Sequence, residues 1–361
     1  MRTSTGVHGT LGGLALDLTT QASAPFAQLL RRSGFGGTAD EIAAGSANGW
    51  TATVDQLVGG LGQLDSGADA IAVPAFSMPE DVGRLRADAS ARAELAAERV
   101  ELVNWWLARM VATTNPLQEK LTFLLHGLFA TAISKVRYPV FMYRQNQLFR
   151  SHGSGPFPDL TQQVAVDPAM LIWLDASSDK AQDPNENFAR ELMERFTMGI
   201  GTYTEADVRA AAYCFTGWQL NLRTGAFSIS ALDHSDAPQT FLGHTGINSG
   251  TQVIDIVTTT NASSHYIPSV FWSRLAAPVT PTSAVASELA PGYASGRNVG
   301  DLLRAIVTHP GFLTTETQGG LIKQPVEYVV GALRALGVTA AEFQARPEGV
   351  LATLAGLGQI P

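Results

Sequence analysis

Apolar positions three and four residues apart recur along most of this chain, and that spacing predicts helices. The stretch PFAQLLRRSGFGGTADEIAAG (25–45) reads as a helix ending near Gly34 or Gly36, then a second opening at Thr38 with Glu41 as its capping-box partner. Residues 50–61 continue helically, and LDSGADAIAVPAFSMPED (64–81) is a loop by its Gly, Pro and Ser content. From Asp88 to Thr113 the period predicts one long helix with Trp105, Trp106 and Met110 as core contacts. Next, TNPLQEK offers Asn115 as N-cap, Pro116 at the first helical position and Gln118 as reciprocal partner, opening a helix to about Lys135.

Further along, DPAMLIWLDA (167–176) predicts a short apolar helix, and TEADVRAAAYCFTGW another, capped by Thr204 with Asp207. Between Gln219 and Thr251 weak alternation broken by turn residues predicts one small β-hairpin, placed around 217–245. Residues 278–297 read as a loop-rich connection, after which helices resume at NVGDLLRAIVTHPGF and QPVEYVVGALRALG. There is no internal repeat. The expected fold is mainly α, one multi-helical domain with a small β excursion.

Composition narrows the function classes. With 361 residues, 45% of them hydrophobic, the chain has ample material for a core. Its formal charge of −8 and lack of any Lys/Arg run argue against a nucleic-acid binder, which needs a basic face. Cys214 is the only cysteine, so an intrachain disulfide and a thiolate metal cluster are excluded, and its place on an apolar helix face reads as packing. The N-terminus has a short apolar run cut by Asp17, less than the roughly 7–15 continuous apolar residues of a secretory signal. No window approaches the roughly 18 apolar residues of a membrane span, so a soluble chain is expected, with its compartment open.

The candidate chemistry lies on two helices. In DPNENFARELMERFTMGIG (183–201), Asp183 before Pro184 with Glu186 three residues on reads as N-cap, first-turn proline and capping-box acid. At 100° per residue, Phe188, Ala189, Leu192, Met193 and Phe196 share one side, and Asn187, Arg190, Glu191, Glu194 and Met198 the other. One reading is an ordinary amphipathic helix with an Arg190–Glu194 pair worth a few tenths of a kcal/mol. The other reading starts from PLQEKLTFLLHGLFATAISK, a helix apolar nearly all round and therefore buried. Glu119 and His126 lie two turns apart on its one polar stripe, and a buried carboxylate or imidazole needs partners.

If that stripe meets the polar side of the 184–198 helix, Glu119, His126, Glu191 and Glu194 form a carboxylate/imidazole cluster. Such clusters hold divalent metals in helical bundles, with His126, Glu191 and Glu194 as candidate ligands. They also serve as acid–base sites, with His126, Glu119 and Glu191 as candidate catalytic groups and Asn187, Arg190 and Glu194 as binding groups. The spacing is not the Glu-x-x-His pair of di-iron bundles. Other candidates are weaker: His234 and Asp236 sit in a polar loop, Ser154 is not in a G-x-S-x-G elbow, and GFGG (34–37) lacks a P-loop lysine.

Several blocks together resemble a known family. They are LLRRSGFGGTADEI, NWWLARMVATTNPLQEKLTFLLHGLFATAISKV, YRQNQLFRSHGSG, VAVDPAMLIWLD, PNENFARELMERFTMGIGTYTEADVRAAAYCFTGW, FLGHTG and LIKQPVEYVVGALRALG. In this order they resemble the bacterial family called domain of unknown function 1800, over nearly the whole chain. The resemblance implies a large helical domain, often tied to export or the cell envelope, whose genes commonly neighbour those of another exported family, a candidate partner. It carries no established activity. In two respects the chain departs from the family pattern. Where members show a WHGHFAT-like block, this chain has Leu125 for the tryptophan and Leu128 for the second histidine. It also stops at LATLAGLGQIP, where members continue through a Pro/Gly/Trp-rich portion, so 1–361 is expected to be a domain shortened at its C-terminus. The sequence leaves two functions open: a metal or acid–base site acting on an envelope polymer, or a non-catalytic envelope or assembly protein with a buried polar network.

Overall fold

In the computed structural model the described residues are 18–78 and 88–361. The N-terminal stretch weighed as a leader and the end of the 64–81 loop lie outside them. Numbering the helices of six residues or more, the chain opens with α1 (Leu18–Arg32), α2 (Ala39–Asn48) and α3 (Trp50–Gly59). There follow α4 (Ala89–Ala112), α5 (Pro116–Leu128), α6 (Pro139–His152), α7 (Phe157–Ala165) and α8 (Pro168–Trp173). The middle holds α9 (Glu186–Glu191, continued to Thr197 as π-helix) and α10 (Glu205–Phe215). Two antiparallel pairs come next, β1 (Trp218–Asn221) with β2 (Ala226–Ile229), and β3 (Gln239–Phe241) with β4 (His244–Ile247). The chain closes with α11 (Gly250–Thr259), α12 (Asn261–Leu275), α13 (Ala284–Gly296), α14 (Val299–Thr308), α15 (Pro325–Ala335), α16 (Ala340–Ala345) and α17 (Glu348–Gly356). The fold is mainly α, and among the described residues no helix is long and apolar enough to cross a membrane.

Local chemistry sets several boundaries where the sequence placed them. Thr38 and Glu41 exchange both capping-box hydrogen bonds, at 3.2 and 2.7 Å, and Thr204 and Asp207 do the same at 3.2 and 2.9 Å. Trp105, Trp106 and Met110 are buried on α4. The GFGG turn is a packing device: a Cβ at Gly34 would lie 2.7 Å from Pro116 Cβ, so the turn and the start of α5 touch only because that position is glycine.

Four expectations need correction. Helix α5 ends at Leu128, not Lys135. Phe129 leaves the helix to stack on Phe149 and Phe157, with centroids 5.8 and 6.1 Å apart, and Arg137 in left-handed conformation closes a separate turn. Asn115 and Gln118 are tethers rather than a reciprocal cap: Asn115 Nδ2 donates to Gly60 O, and Gln118 accepts from Gly62 N at 2.7 Å while donating to Arg150 O at 3.1 Å. The β excursion is two hairpins. Finally, most of 278–297 is helix α13, because Ser283 caps it and Ala286, Leu289, Ala290 and Tyr293 bury one face, largely against α12. Tertiary burial there outweighs the Pro and Gly content.

Two cores meet at α5. Leu117, Leu121, Leu124 and Leu125 join the larger one, with α1, α3 and α6–α14. Phe123 faces a second, with Phe35, Trp105, Trp106 and Val330, between α4 and α15. A helix wedged between two cores has little solvent face, so its charged residues must find partners inside.

Candidate functional site

Glu119 has found them. Its carboxylate is fully buried and accepts from Arg109 Nε at 3.2 Å, from Arg150 Nη1, and from Arg150 Nη2 at 3.1 Å. Arg109 also donates to Ala68 O at 2.9 Å and pairs with Asp69 at 2.7 Å, and Arg150 reaches Asn146 Oδ1 at 3.0 Å. Two guanidiniums therefore saturate Glu119 and tie α4, α5 and α6 to the 65–70 loop. A carboxylate fixed this way is a structural counter-ion, with no oxygen free to move a proton.

His126, two turns along α5, is in the opposite position. Its ring stands edge-on to Trp106, 5.3 Å between centroids, is half-buried, and has no hydrogen-bond partner among the described residues. Burial pushes the imidazole down to about 4, so at neutral pH it is uncharged, with one N–H to donate and one nitrogen to accept. The folded state thus disfavours the imidazolium: His126's contribution to stability is fully present above about pH 6.5 and is lost as pH falls towards 4. NMR titration of the imidazole is expected to place its midpoint near 4, and His126→Gln should remove on the order of 2 kcal/mol of acid sensitivity across that window, allowing for partial exposure. A ring that titrates near 6.5 would overturn this.

Two cavities of about 260 Å³ open on His126. One is polar, lined by Lys120, Arg274, Gln324, Glu327 and Gln359; the other, behind Trp106, is largely apolar. Burial pushes the ammonium of Lys120 below the ordinary lysine range, and its Glu327 partner opposes that shift. Arg274 has no side-chain partner among the described residues. The polar cavity shares Gly127 and Arg274 with a neighbouring hollow that adds Arg195 and Tyr266. That hollow shares Arg195, Tyr266 and Pro281 with a larger one of about 880 Å³ containing Glu194. The shared walls make the three hollows neighbours along the surface between His126 and Glu194.

The residues of the 184–198 stretch do not gather on His126. Asn185, not Asp183, caps the helix, accepting from Asn187 N at 2.9 Å; Asp179 takes the Asn185 N–H at 2.7 Å and so fixes the entry. Glu186 then falls in the first turn and pairs with Arg190 at 3.1 Å, so Arg190 reaches back to Glu186 and across to Glu205 at 2.7 Å rather than forward to Glu194. Asn187 Nδ2 reaches Leu174 O at 3.5 Å, Glu191 pairs with Arg195 at 3.3 Å, and Glu194 accepts from Tyr203 OH at 3.0 Å.

A break in helical register explains the discrepancy with the 100° wheel. From Leu192 the bonding widens to five residues, with Met198 N donating to Met193 O at 2.9 Å, which inserts an extra residue into the turn. Met198, expected on the polar side, is consequently buried. Among the described residues no three His, Cys, Asp or Glu side chains are grouped so as to hold a metal ion, so His126, Glu191 and Glu194 are not a three-ligand set.

The sequence reading missed Lys120, Arg274 and Glu327. Lys120 and Glu327 lie 207 positions apart, and only the docking of α15 on α5 joins them. For Arg274 the available signal was a cation in the last turn of a helix with no other Lys, Arg, Asp or Glu. His234 holds two segments together, its ring nitrogens 2.8 Å from Thr216 O and 3.1 Å from Asn248 O. Burial pushes the Cys214 thiol up to about 11, which suits inert packing.

No curated protein and no solved structure matches the chain. The family model described as protein of unknown function (DUF1800) matches residues 28–361, nearly the whole chain, including both helices on which the site candidates lie. The chain therefore belongs to the family of domain of unknown function 1800.

Proposed function

We propose that this protein binds an extended polymer bearing hydroxyl and anionic groups, such as an acidic polysaccharide of the cell envelope, along the path from His126 to Glu194. The observation that carries this reading is His126 itself: a half-buried imidazole without a hydrogen-bond partner among the described residues, at the head of a row of neighbouring hollows. A neutral imidazole suits hydroxyl groups, donating to one and accepting from another. Arg274, beside it in the polar cavity, supplies a charge for a carboxylate or sulfate on the polymer even though the chain is acidic overall. Both nearby carboxylates are committed, Glu119 to two arginines and Glu327 to Lys120 and the Gln324 N–H at 2.9 Å, so in an acid–base reaction on the polymer His126 would be the group that moves the proton. The non-catalytic reading is favoured by one observation, that Glu119 is committed to two arginines; a binding path without turnover satisfies both.

Affinity electrophoresis through polygalacturonate, with neutral dextran as control, tests this. The wild type should be retarded by polygalacturonate and not by dextran. Arg274→Gln and His126→Gln should each weaken the retardation about fivefold or more, the effect expected for one lost charge-assisted or buried hydrogen bond. Equal migration in both gels, or retardation that neither substitution changes, sinks the reading.

A further inference from the structure

The second cavity at His126 has its own chemistry. Arg99, Leu102, Val103 and Trp106 sit at i, i+3, i+4 and i+7 of α4, so all four present one face to it. Ile133, Met142, Ile360 and Pro361 add further apolar lining. The apolar part would be an ordinary packing defect but for the donors beside it. Trp106 is 5% exposed, and its Nε1 is buried with no acceptor. Arg99 Nε is likewise buried without an acceptor. Buried donors are nearly always paired in folded proteins, because leaving one unmade costs the full desolvation of the group.

Of the neighbouring polar groups, Thr131 donates to Gln145 and Asn146 Oδ1 accepts from Arg150 at 3.0 Å, while Glu98 accepts from Ser77 N–H at 3.1 Å through Oε1 and keeps Oε2 buried without a partner. Among the described residues no oxygen lies within hydrogen-bonding distance of Arg99 Nε or Trp106 Nε1, although both side chains border an apolar space of about 260 Å³. A cavity of about 150 Å³ holds benzene, so this one has room for a bicyclic aromatic or a short acyl chain.

We propose that the cavity lined by α4, Ile133 and Met142 binds a small apolar carboxylate, its carboxylate taken by Arg99 and the indole N–H of Trp106 and its apolar body by Leu102, Val103, Ile133 and Met142. This site stands on α4 and does not depend on the polymer path. It requires an acceptor-bearing head and an apolar body in one molecule, because neither the cation nor the apolar wall is satisfied alone.

Isothermal titration calorimetry at pH 7.5 with 2-naphthoate, and with uncharged 2-naphthamide of the same shape, tests the assignment. Naphthoate should bind at least tenfold more tightly than the amide, and Arg99→Gln should abolish that preference while the apolar contact persists. Val103→Phe, which fills the cavity, should weaken both ligands at least tenfold. As a measure independent of cavity-filling variants, the Trp106 indole N–H resonance, assigned by its loss in Trp106→Phe, should shift downfield on naphthoate addition. No binding of naphthoate, equal binding of the two probes, or an unmoved Trp106 resonance overturns the proposal. Arg99→Gln should leave polygalacturonate retardation intact and Arg274→Gln should leave naphthoate binding intact, so the two sites fail or stand separately.

Discussion

Glu119→Ala is expected to cost about 3–5 kcal/mol in chemical denaturation, because it strands two cations in the core. Arg109 and Arg150 both direct guanidinium donors at this one carboxylate, whose side chain is fully buried. Arg109 keeps Asp69 and Ala68 O as partners, whereas Arg150 keeps Asn146 alone. The loss should therefore be partly relieved in the double variant Glu119→Ala/Arg150→Leu, which removes the less compensated charge with its counter-ion. A single-variant loss below about 1 kcal/mol would show that Glu119 is not the counter-ion assigned here. Such a result would also reopen Glu119 as a chemical group.

Asp65→Asn is expected to cost about 2–3 kcal/mol at pH 7, and the cost should vanish in strong acid. Burial pushes the Asp65 carboxyl up, but hydrogen bonds from Ala68 N, Thr113, and the N–H and hydroxyl of Thr114 overcome this and hold it at about 2. Its oxygens collect Ala68 N at 3.0 Å, Thr114 N at 2.9 Å and Asn115 N at 3.2 Å, pinning the 65–70 loop to the α4–α5 turn. The loop lies so close that a Cβ on Gly67 would fall 2.0 Å from Ala112 O. A carboxyl lowered in the folded state stabilises above its unfolded value near 4 and stops doing so as pH falls through 2. Wild type and variant should thus converge between pH 4 and 2 in urea titrations at stepped pH. A difference that stays constant across this window would mean that Asp65 holds the loop by shape rather than by charge.

Much of the scaffold could be read from residue order because the signals are local. Apolar spacing found α4 and α5, and the Thr38/Glu41 and Thr204/Asp207 boxes placed two helix starts to the residue, since each cap satisfies backbone donors within its own turn. The burial of α5 also followed from its near-uniform apolar circumference. Local signals misled where a distant partner outbid them. Asn115 and Gln118 have the types of a capping pair, but Gly60, Gly62 and Arg150 take their polar atoms. Pro and Gly around 278–297 suggested a loop, but packing on α12 made helix α13.

The candidate site divides along the same line. The sequence by itself determined that Glu119 and His126 sit on one stripe of a buried helix and that each must be answered from within, since their spacing and the apolar surroundings belong to a single segment. Which answer each receives was decided by tertiary structure. Arg109 and Arg150 reach Glu119 from α4 and α6, while His126 is left to Trp106 and two cavities. Glu191 pairs with Arg195 one turn along and Glu194 with Tyr203, and the π-helical turn from Leu192 shifts the phase of the residues that follow it. Lys120, Glu327 and Arg274 join the cavity only through the docking of α12 and α15. Ion pairs and cavities depend on distances between segments, and those distances exist only once the helices have packed.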